Sequence, residues 1–345
     1  MPACVLRVAC CTLPVPARPD PTLRYPLENR ILTNHDTASI EAASSHSGTG
    51  AVGVIGLGSM GFGVGQSLLK AGFTVHACDV RPDVLARFVA LGGVAAANPA
   101  ALAAQVDRLI ILVVNAAQTD AVLFGENGAA AALPPGAIVI SSATVAPDYA
   151  EQLGARLEAI GLVNIDAPVS GGAIKAAAGQ MTVMAAGAPA AFERCSTLFD
   201  AIAGKLYRLG DTPGKGSTVK MINQLLAGVH IAAAAEAMAL GIKAGADPEA
   251  LFEVISNSAG ASWMFQNRVP HILAGDYTPH SAVNIFIKDL GIVLDSARKH
   301  AFPLPLTATA HQMYMTAASA GHGGEDDSAV IKIFPGITLP AAGKP

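Results

Sequence analysis

From Ala51 onward the chain alternates short uninterrupted apolar runs with longer segments of mixed character. The runs are 51–57, 73–79, 109–114, 137–142, 162–166, 181–184 and 205–209. Runs of this length bounded by turn signals, such as Pro134-Pro135-Gly136 before the fourth, predict strands buried on both faces. The segments between them predict helices, several with proline-marked starts: Arg81-Pro82-Asp83, Asn98-Pro99 and Ala146-Pro147-Asp148. Strand alternating with helix predicts an α/β fold, an N-terminal Rossmann-type doubly wound parallel sheet over residues 49–212.

The rhythm breaks at Asp211-Thr212-Pro213-Gly214. One long helix is predicted from Gly216 to about Ala244, a second opens at Asp247-Pro248-Glu249, and further helical segments run to about Ala320. Residues 213–335 are therefore expected to form an all-α C-terminal domain serving substrate binding and oligomerisation, with 336–345 as a tail. Residues 1–48 are proline-rich and lack sustained periodicity. Their apolar stretch is broken by Arg7 and Pro14 and ends in no convincing cleavage site, so a disordered extension is expected rather than a targeting signal.

Composition changes this picture only at two points. Mean hydropathy is high at +0.44, so a membrane span must be weighed. The richest stretch, Leu225–Ala239, carries His230 and Glu236 and falls short of the roughly 20 uninterrupted apolar residues a span requires. It is expected to be a buried helix, and no membrane partner is expected. The net charge of −4, with 14% charged residues and no basic terminus, argues against a nucleic-acid partner. The five cysteines, Cys4, Cys10, Cys11, Cys78 and Cys195, fit neither a disulfide framework nor zinc spacing, which points to a reducing cytoplasm. His322-Gly323-Gly324-Glu325-Asp326-Asp327 is expected to be a solvated loop, and no metal is expected.

Candidate chemistry begins at Gly56-Leu57-Gly58-Ser59-Met60-Gly61. This G-x-G-x-x-G follows the first strand directly and opens a helix, the context in which it marks a dinucleotide site. Gly56 permits the tight turn, Gly58 lets backbone approach a pyrophosphate, and Gly61 lets helix and strand pack closely, with the phosphates at the helix N-terminus. Asp79 ends the second strand about 20 residues on, where an acid accepts the ribose hydroxyls and disfavours a 2′-phosphate. NAD is the expected cofactor, although Arg81 nearby favours a phosphate.

Asp166-Ala167-Pro168-Val169-Ser170-Gly171-Gly172 follows another strand. Ser170 with Gly171 and Gly172 offers a hydroxyl and open backbone N–H groups, a receptor for a carboxylate, and the same residues also fit an ordinary glycine-rich turn. Gly214-Lys215-Gly216-Ser217-Thr218-Val219-Lys220 opens the long helix, with Lys220, Asn223 and Gln224 on one face. A lysine buried in an apolar helix has a lowered pKa and can exchange protons near neutral pH.

These three motifs, in this order, resemble the β-hydroxyacid dehydrogenase family, which includes 3-hydroxyisobutyrate dehydrogenase and tartronate semialdehyde reductase. The resemblance spans about Ala51 to Phe334. It implies that Ser170, Gly171 and Gly172 bind a small hydroxy-acid substrate and that Lys220 is the acid–base residue. It also implies that Thr144 lies near the nicotinamide, and that Lys288, in Lys288-Asp289-Leu290, reaches back to the cofactor. Many members carry Asn-Asn where this chain has Asn223-Gln224. Gln keeps the amide but moves it by one methylene, which bears on the substrate rather than on the chemistry. The segments 227–237 and 267–271 are most similar to the members that oxidise C2 of L-threonate to 2-dehydro-L-erythronate. Gln224, His230 and Trp263 are candidates for a longer hydroxylated substrate, with His230 more readily explained by packing. The alternatives are 3-hydroxyisobutyrate or tartronate semialdehyde chemistry, or a non-enzymatic scaffold. The Ala-rich long helix implies a homo-oligomer, dimer or tetramer.

Overall fold

The computed structural model describes residues 50–340. The expected extension at 1–48, including Cys4, Cys10 and Cys11, lies outside the described residues. So do the last five positions of the expected tail.

Six strands form one parallel sheet: β1 (Ala51–Ile55), β2 (Thr74–Cys78), β3 (Val94–Ala95), β4 (Arg108–Ile111), β5 (Ile138–Ser141) and β6 (Val163–Asp166), in the order β3-β2-β1-β4-β5-β6. This is the strand order of a dinucleotide-binding Rossmann fold, with the crossing point between β1 and β4. Alternation along each strand explains the continuous apolar runs. Ile110, Ile138 and Ile140 join Val52 and Val54 in a core on one face. Leu109, Ile111 and Val139 join a second core on the other. Both faces are covered by helices: α1 (Gly61–Lys70), α2 (Pro82–Ala90), α3 (Pro99–Ala103), α4 (Ala116–Phe124) and α5 (Pro147–Glu158). The proline-marked starts behave as expected. Pro82, Pro99 and Pro147 each occupy a first-turn position, and the Asn98 side chain accepts from Ala101 N at 2.8 Å.

The runs at 181–184 and 205–209 do not extend this sheet, contrary to the single-sheet expectation. β7 (Val169–Ser170), β8 (Met181–Ala185) and β9 (Ala203–Arg208) form a separate three-stranded sheet in which β7 and β8 are antiparallel. The reason lies in the connection. Only Ala167 and Pro168 separate β6 from β7, and a parallel return needs a crossover of about a dozen residues. The chain instead leaves the main sheet, and a lone bridge between Asp166 and Ala186 ties the two sheets together. Helices α6 (Gly172–Ala177), α7 (Pro189–Arg194) and α8 (Ser196–Ile202) complete this layer.

After β9 the described chain is helical. The long α9 (Lys215–Lys243) is surrounded by α10 (Pro248–Ser256), α11 (Trp263–Ala274), α12 (Val283–Lys299) and α13 (Pro305–Ala317). Ile231, Met238, Phe265, Leu290 and Tyr314 form their common core. Phe286 and Tyr314 stack at 5.3 Å, and Tyr314 Oη donates to Gly228 O at 3.0 Å. The expected buried stretch Leu225–Ala239 is buried on one side, through Ile231, Ala235 and Met238, while Leu226 on it, and Val219, Ile222 and Leu240 beyond its ends, are 41–69% exposed.

The segment expected to be a solvated acidic loop is an anchor. Asp326 and Asp327 are both 0% exposed. Arg268 grips Asp327 with two bonds, Nε to Oδ1 at 2.5 Å and Nη2 to Oδ2 at 3.1 Å. Asp326 accepts from His280 N at 3.0 Å and from Ser328 Oγ at 2.7 Å. These two acids are buried here because Arg268, 59 residues away in sequence, pairs with Asp327, while backbone and hydroxyl donors satisfy Asp326.

Candidate active site

The glycine-rich loop sits where β1 ends and α1 begins. Gly56 has φ of +93°, and a Cβ there would meet Leu112 O at 2.7 Å. A Cβ on Gly61 would lie 1.8 Å from Gly56 O, so helix and turn can close only around glycine. Gly58 differs. Nothing lies within 4 Å of where its Cβ would be, so the space above it is open. Two glycines are thus needed by the protein itself, while the third leaves room for something else. That is the fit expected of a pyrophosphate cradle at the start of α1, where Met60 is the N-cap residue. Ser59 is exposed, and its Oγ lies 3.3 Å from His280 O.

Leu57 N donates to Asp79 Oδ2 at 2.6 Å, which fixes the carboxylate beside the loop. Arg81 also holds Asp79, with its backbone N at 2.9 Å and its guanidinium at 3.0 and 3.1 Å. Burial pushes the Asp79 pKa up, but the bonds from Arg81 and Leu57 outweigh it and the net shift is down. Half of the Arg81 side chain is exposed while Asp79 is nearly covered.

Asp166 positions the start of α9. Its carboxylate accepts from Gly214 N at 2.9 Å, Ser217 N at 2.8 Å and Ser217 Oγ at 2.7 Å, capping amides that the helix leaves unpaired. Gly216 is required for this approach, since a Cβ there would meet Met184 O at 2.4 Å. The helix so placed carries Lys220 into the interior, 6% exposed. Burial lowers its pKa to about 8, opposed by Asp289 and assisted by Lys288. Gly171 and Gly172 take φ of +136° and +72°, conformations that other residues rarely adopt, at the turn from β7 into α6 beside Ser170.

A polar chain joins the helical part to the sheet edge. Asn223 Nδ2 donates to Gln224 Oε1 at 3.0 Å, and Gln224 Nε2 donates to Asp289 Oδ2 at 2.5 Å. Lys288 Nζ lies 2.8 Å from Asp289 Oδ1 and donates to the carbonyls of Val114 at 2.7 Å and Thr144 at 3.1 Å. These carbonyls belong to the loops after β4 and β5, at the carboxyl edge of the sheet where such folds bind ligands. Lys288 therefore reaches the Thr144 loop, and Asp289, buried at 2% exposure, is a polar member of this region with no signal of its own in the sequence. Trp263 is 57% exposed at the start of α11. His230 is part-buried on α9.

Two family descriptions cover the described chain. Residues 51–210 match the NAD-binding domain of 6-phosphogluconate dehydrogenase, and 214–334 match the NAD-binding domain of NADP-dependent 3-hydroxyisobutyrate dehydrogenase. An L-threonate dehydrogenase of Cupriavidus necator is 67% identical over 84% of this chain and 97% of its own length. This chain belongs to the β-hydroxyacid dehydrogenase family related to 3-hydroxyisobutyrate dehydrogenase. An L-threonate dehydrogenase of Escherichia coli K12 is 53% identical, again over 84% of this chain and 97% of its own length. A crystal structure described as 3-hydroxyisobutyrate dehydrogenase from Salmonella typhimurium shares 54% identity and a TM-score of 0.79, covering 82% of this chain and 99% of that one. The chain is a hydroxy-acid dehydrogenase with a nicotinamide dinucleotide site.

The contrast between the glycines is testable. Gly58→Val should leave the melting temperature near wild type, because its side chain points into open space. It should also weaken NAD binding by about tenfold or more, the equivalent of ~1.4 kcal/mol. Calorimetric titration beside a thermal melt separates the two effects, and unchanged NAD affinity would count against the cradle.

Proposed function

We propose that this chain oxidises C2 of L-threonate to give 2-dehydro-L-erythronate, with NAD as cofactor. The observation that carries the proposal is the pair of L-threonate dehydrogenases at 67% and 53% identity, each covered over 97% of its length. The buried lysine on α9 supports it chemically. The Ser170–Gly171–Gly172 turn receives the substrate carboxylate on a hydroxyl and backbone N–H groups. Lys220, as the neutral amine, takes the proton of the reacting hydroxyl and returns it in the reverse direction. Burial makes the amine accessible near neutral pH. Asn223, one turn along the same face, orients the substrate. The glycine-rich loop from Gly56 to Gly61, with Asp79, Thr144 and Lys288, would hold the dinucleotide, which when bound supplies the hydride acceptor. Incubating L-threonate with NAD and identifying the product by NMR tests this reading. A 2-keto acid is expected, and oxidation at C3 would contradict it.

Asp79 supports NAD over NADP, so kcat/KM should be higher with NAD, and a preference for NADP would sink that part of the proposal. The Salmonella relative favours one alternative substrate, 3-hydroxyisobutyrate. We further propose a cytoplasmic homo-oligomer, dimer or tetramer, acting on a small molecule, with no nucleic-acid or membrane partner. The net charge of −4 supports the former exclusion. Among the described residues α9 is long and apolar enough to cross a membrane. Its packing among α10–α13, and the polar Lys220, Asn223 and Gln224 on it, support a core helix instead. The exposed Val219, Ile222, Leu226 and Leu240 support subunit contacts. Light scattering should give a mass of at least twice the 34.9 kDa chain.

A further inference from the structure

Lys220, Asn223 and Gln224 share a face of α9, and α12 packs against that helix. Gln224 is committed on both sides of its amide: it donates to Asp289 Oδ2 and accepts from Asn223. Asp289 is almost fully buried, and its other oxygen faces Lys288. A buried carboxylate is costly unless its oxygens are paired, and Gln224 pairs the oxygen turned toward α9. An asparagine would fall short by about one C–C bond, ~1.5 Å.

The other charged groups near this end of α9 have different partners. Asp166 of β6 is taken by Gly214 and Ser217. Glu151 of α5 stands against Gly214, and Lys215 lies over Gly210. His311 of α13 contacts Ile287 O. Asp289 and Lys288 lie on α12, which packs on α9, and Asp289 is held by Gln224 one turn along from Lys220, so these two charges face the Lys220 side of the helix.

We infer that Gln224 is a positioning residue: its amide holds the Asp289 carboxylate against α9, so that Asp289, countered by Lys288, tunes the protonation of the buried Lys220 amine. The carboxylate draws Lys220 toward the ammonium form, and the Lys288 ammonium pushes it toward the amine. This deepens the proposed function and rests on Lys220 being its acid–base group. It also assigns the Asn-to-Gln departure at position 224 to control of the acid–base group rather than to direct substrate contact.

The test needs no substrate. In protein with 13C-labelled lysine Cε, the resonance missing from Lys220→Met identifies Lys220, and its midpoint is followed with pH. Asp289→Asn should lower the midpoint by about one unit or more, and Lys288→Met should raise it. Gln224→Leu should lower it by a smaller amount, with Gln224→Asn as a second, milder variant moving the same way. The double variant Gln224→Leu/Asp289→Asn should titrate like Asp289→Asn alone, because both act through one carboxylate. An unmoved midpoint in both Gln224 variants, or a shift that adds to that of Asp289→Asn, would overturn the inference. The kcat–pH profiles of the same proteins separate the two claims. If the resonance shifts as expected but the profiles do not follow, Gln224 positions Asp289 and Lys220 is not the acid–base group.

Discussion

Lys220→Ala should lower kcat by about 10²- to 10⁴-fold, the contribution of a general acid–base group, while NAD binding stays near wild type. The separation is expected because Lys220 lies on α9, whereas the glycine-rich loop and Asp79 belong to the β1–α1–β2 unit. In the wild-type protein, kcat for oxidation should rise with pH through about 8, the value to which burial lowers the lysine, because the base must be neutral. The reverse reaction should fall over the same range. The linkage has a further consequence. The folded pKa of Lys220 lies below its unfolded value of 10.5, so the stability this group allows is lost as pH falls through about 8 and charging opposes folding at pH 7. Lys220→Met should therefore be inactive and yet melt higher than wild type at pH 7. The gain should shrink as pH approaches the unfolded value. A variant with normal kcat would remove Lys220 from the mechanism, and one with lower stability would contradict its charged burial.

Arg268→Leu should destabilise the protein by about 3–5 kcal/mol, the cost of removing one partner of a buried ion pair. Asp327 would be left without its two guanidinium bonds beside Asp326, both fully buried. The effect should reach the dinucleotide side as well. Asp326 holds His280 N, and His280 O is the acceptor near Ser59 in the glycine-rich loop. Urea unfolding gives the free energy, and removing both charges, as in Arg268→Leu/Asp327→Leu, should recover a large part of it. If the single variant is as stable as wild type, the anchor role is wrong.

The elements that carry the site are legible in the chain because local rules dictate them. Gly56, Gly58 and Gly61 follow an apolar strand and open a helix, and the lysine stands out in an otherwise apolar, Ala-rich helix. What escapes is long-range. β3 has two exposed residues and β7 two residues after a proline, too short for periodicity to register. The burial of Asp327 depends on Arg268, 59 residues distant, and the engagement of Gln224 depends on Asp289, 65 residues distant. Neither pairing leaves a trace in local spacing. The second sheet follows from the length of one connection, a topological constraint that apolar runs alone do not express. The role of Asp166 as the cap of α9 is likewise hidden, although the residue itself belongs to a motif visible in the chain.

The substrate is read most directly by following NAD reduction at 340 nm with L-threonate, D-threonate, D-erythronate, 3-hydroxyisobutyrate and glycerate. The highest kcat/KM is expected for L-threonate. A higher value for 3-hydroxyisobutyrate or glycerate would leave the family intact and overturn the substrate, and no turnover by a protein that still binds NAD would contradict the proposed activity.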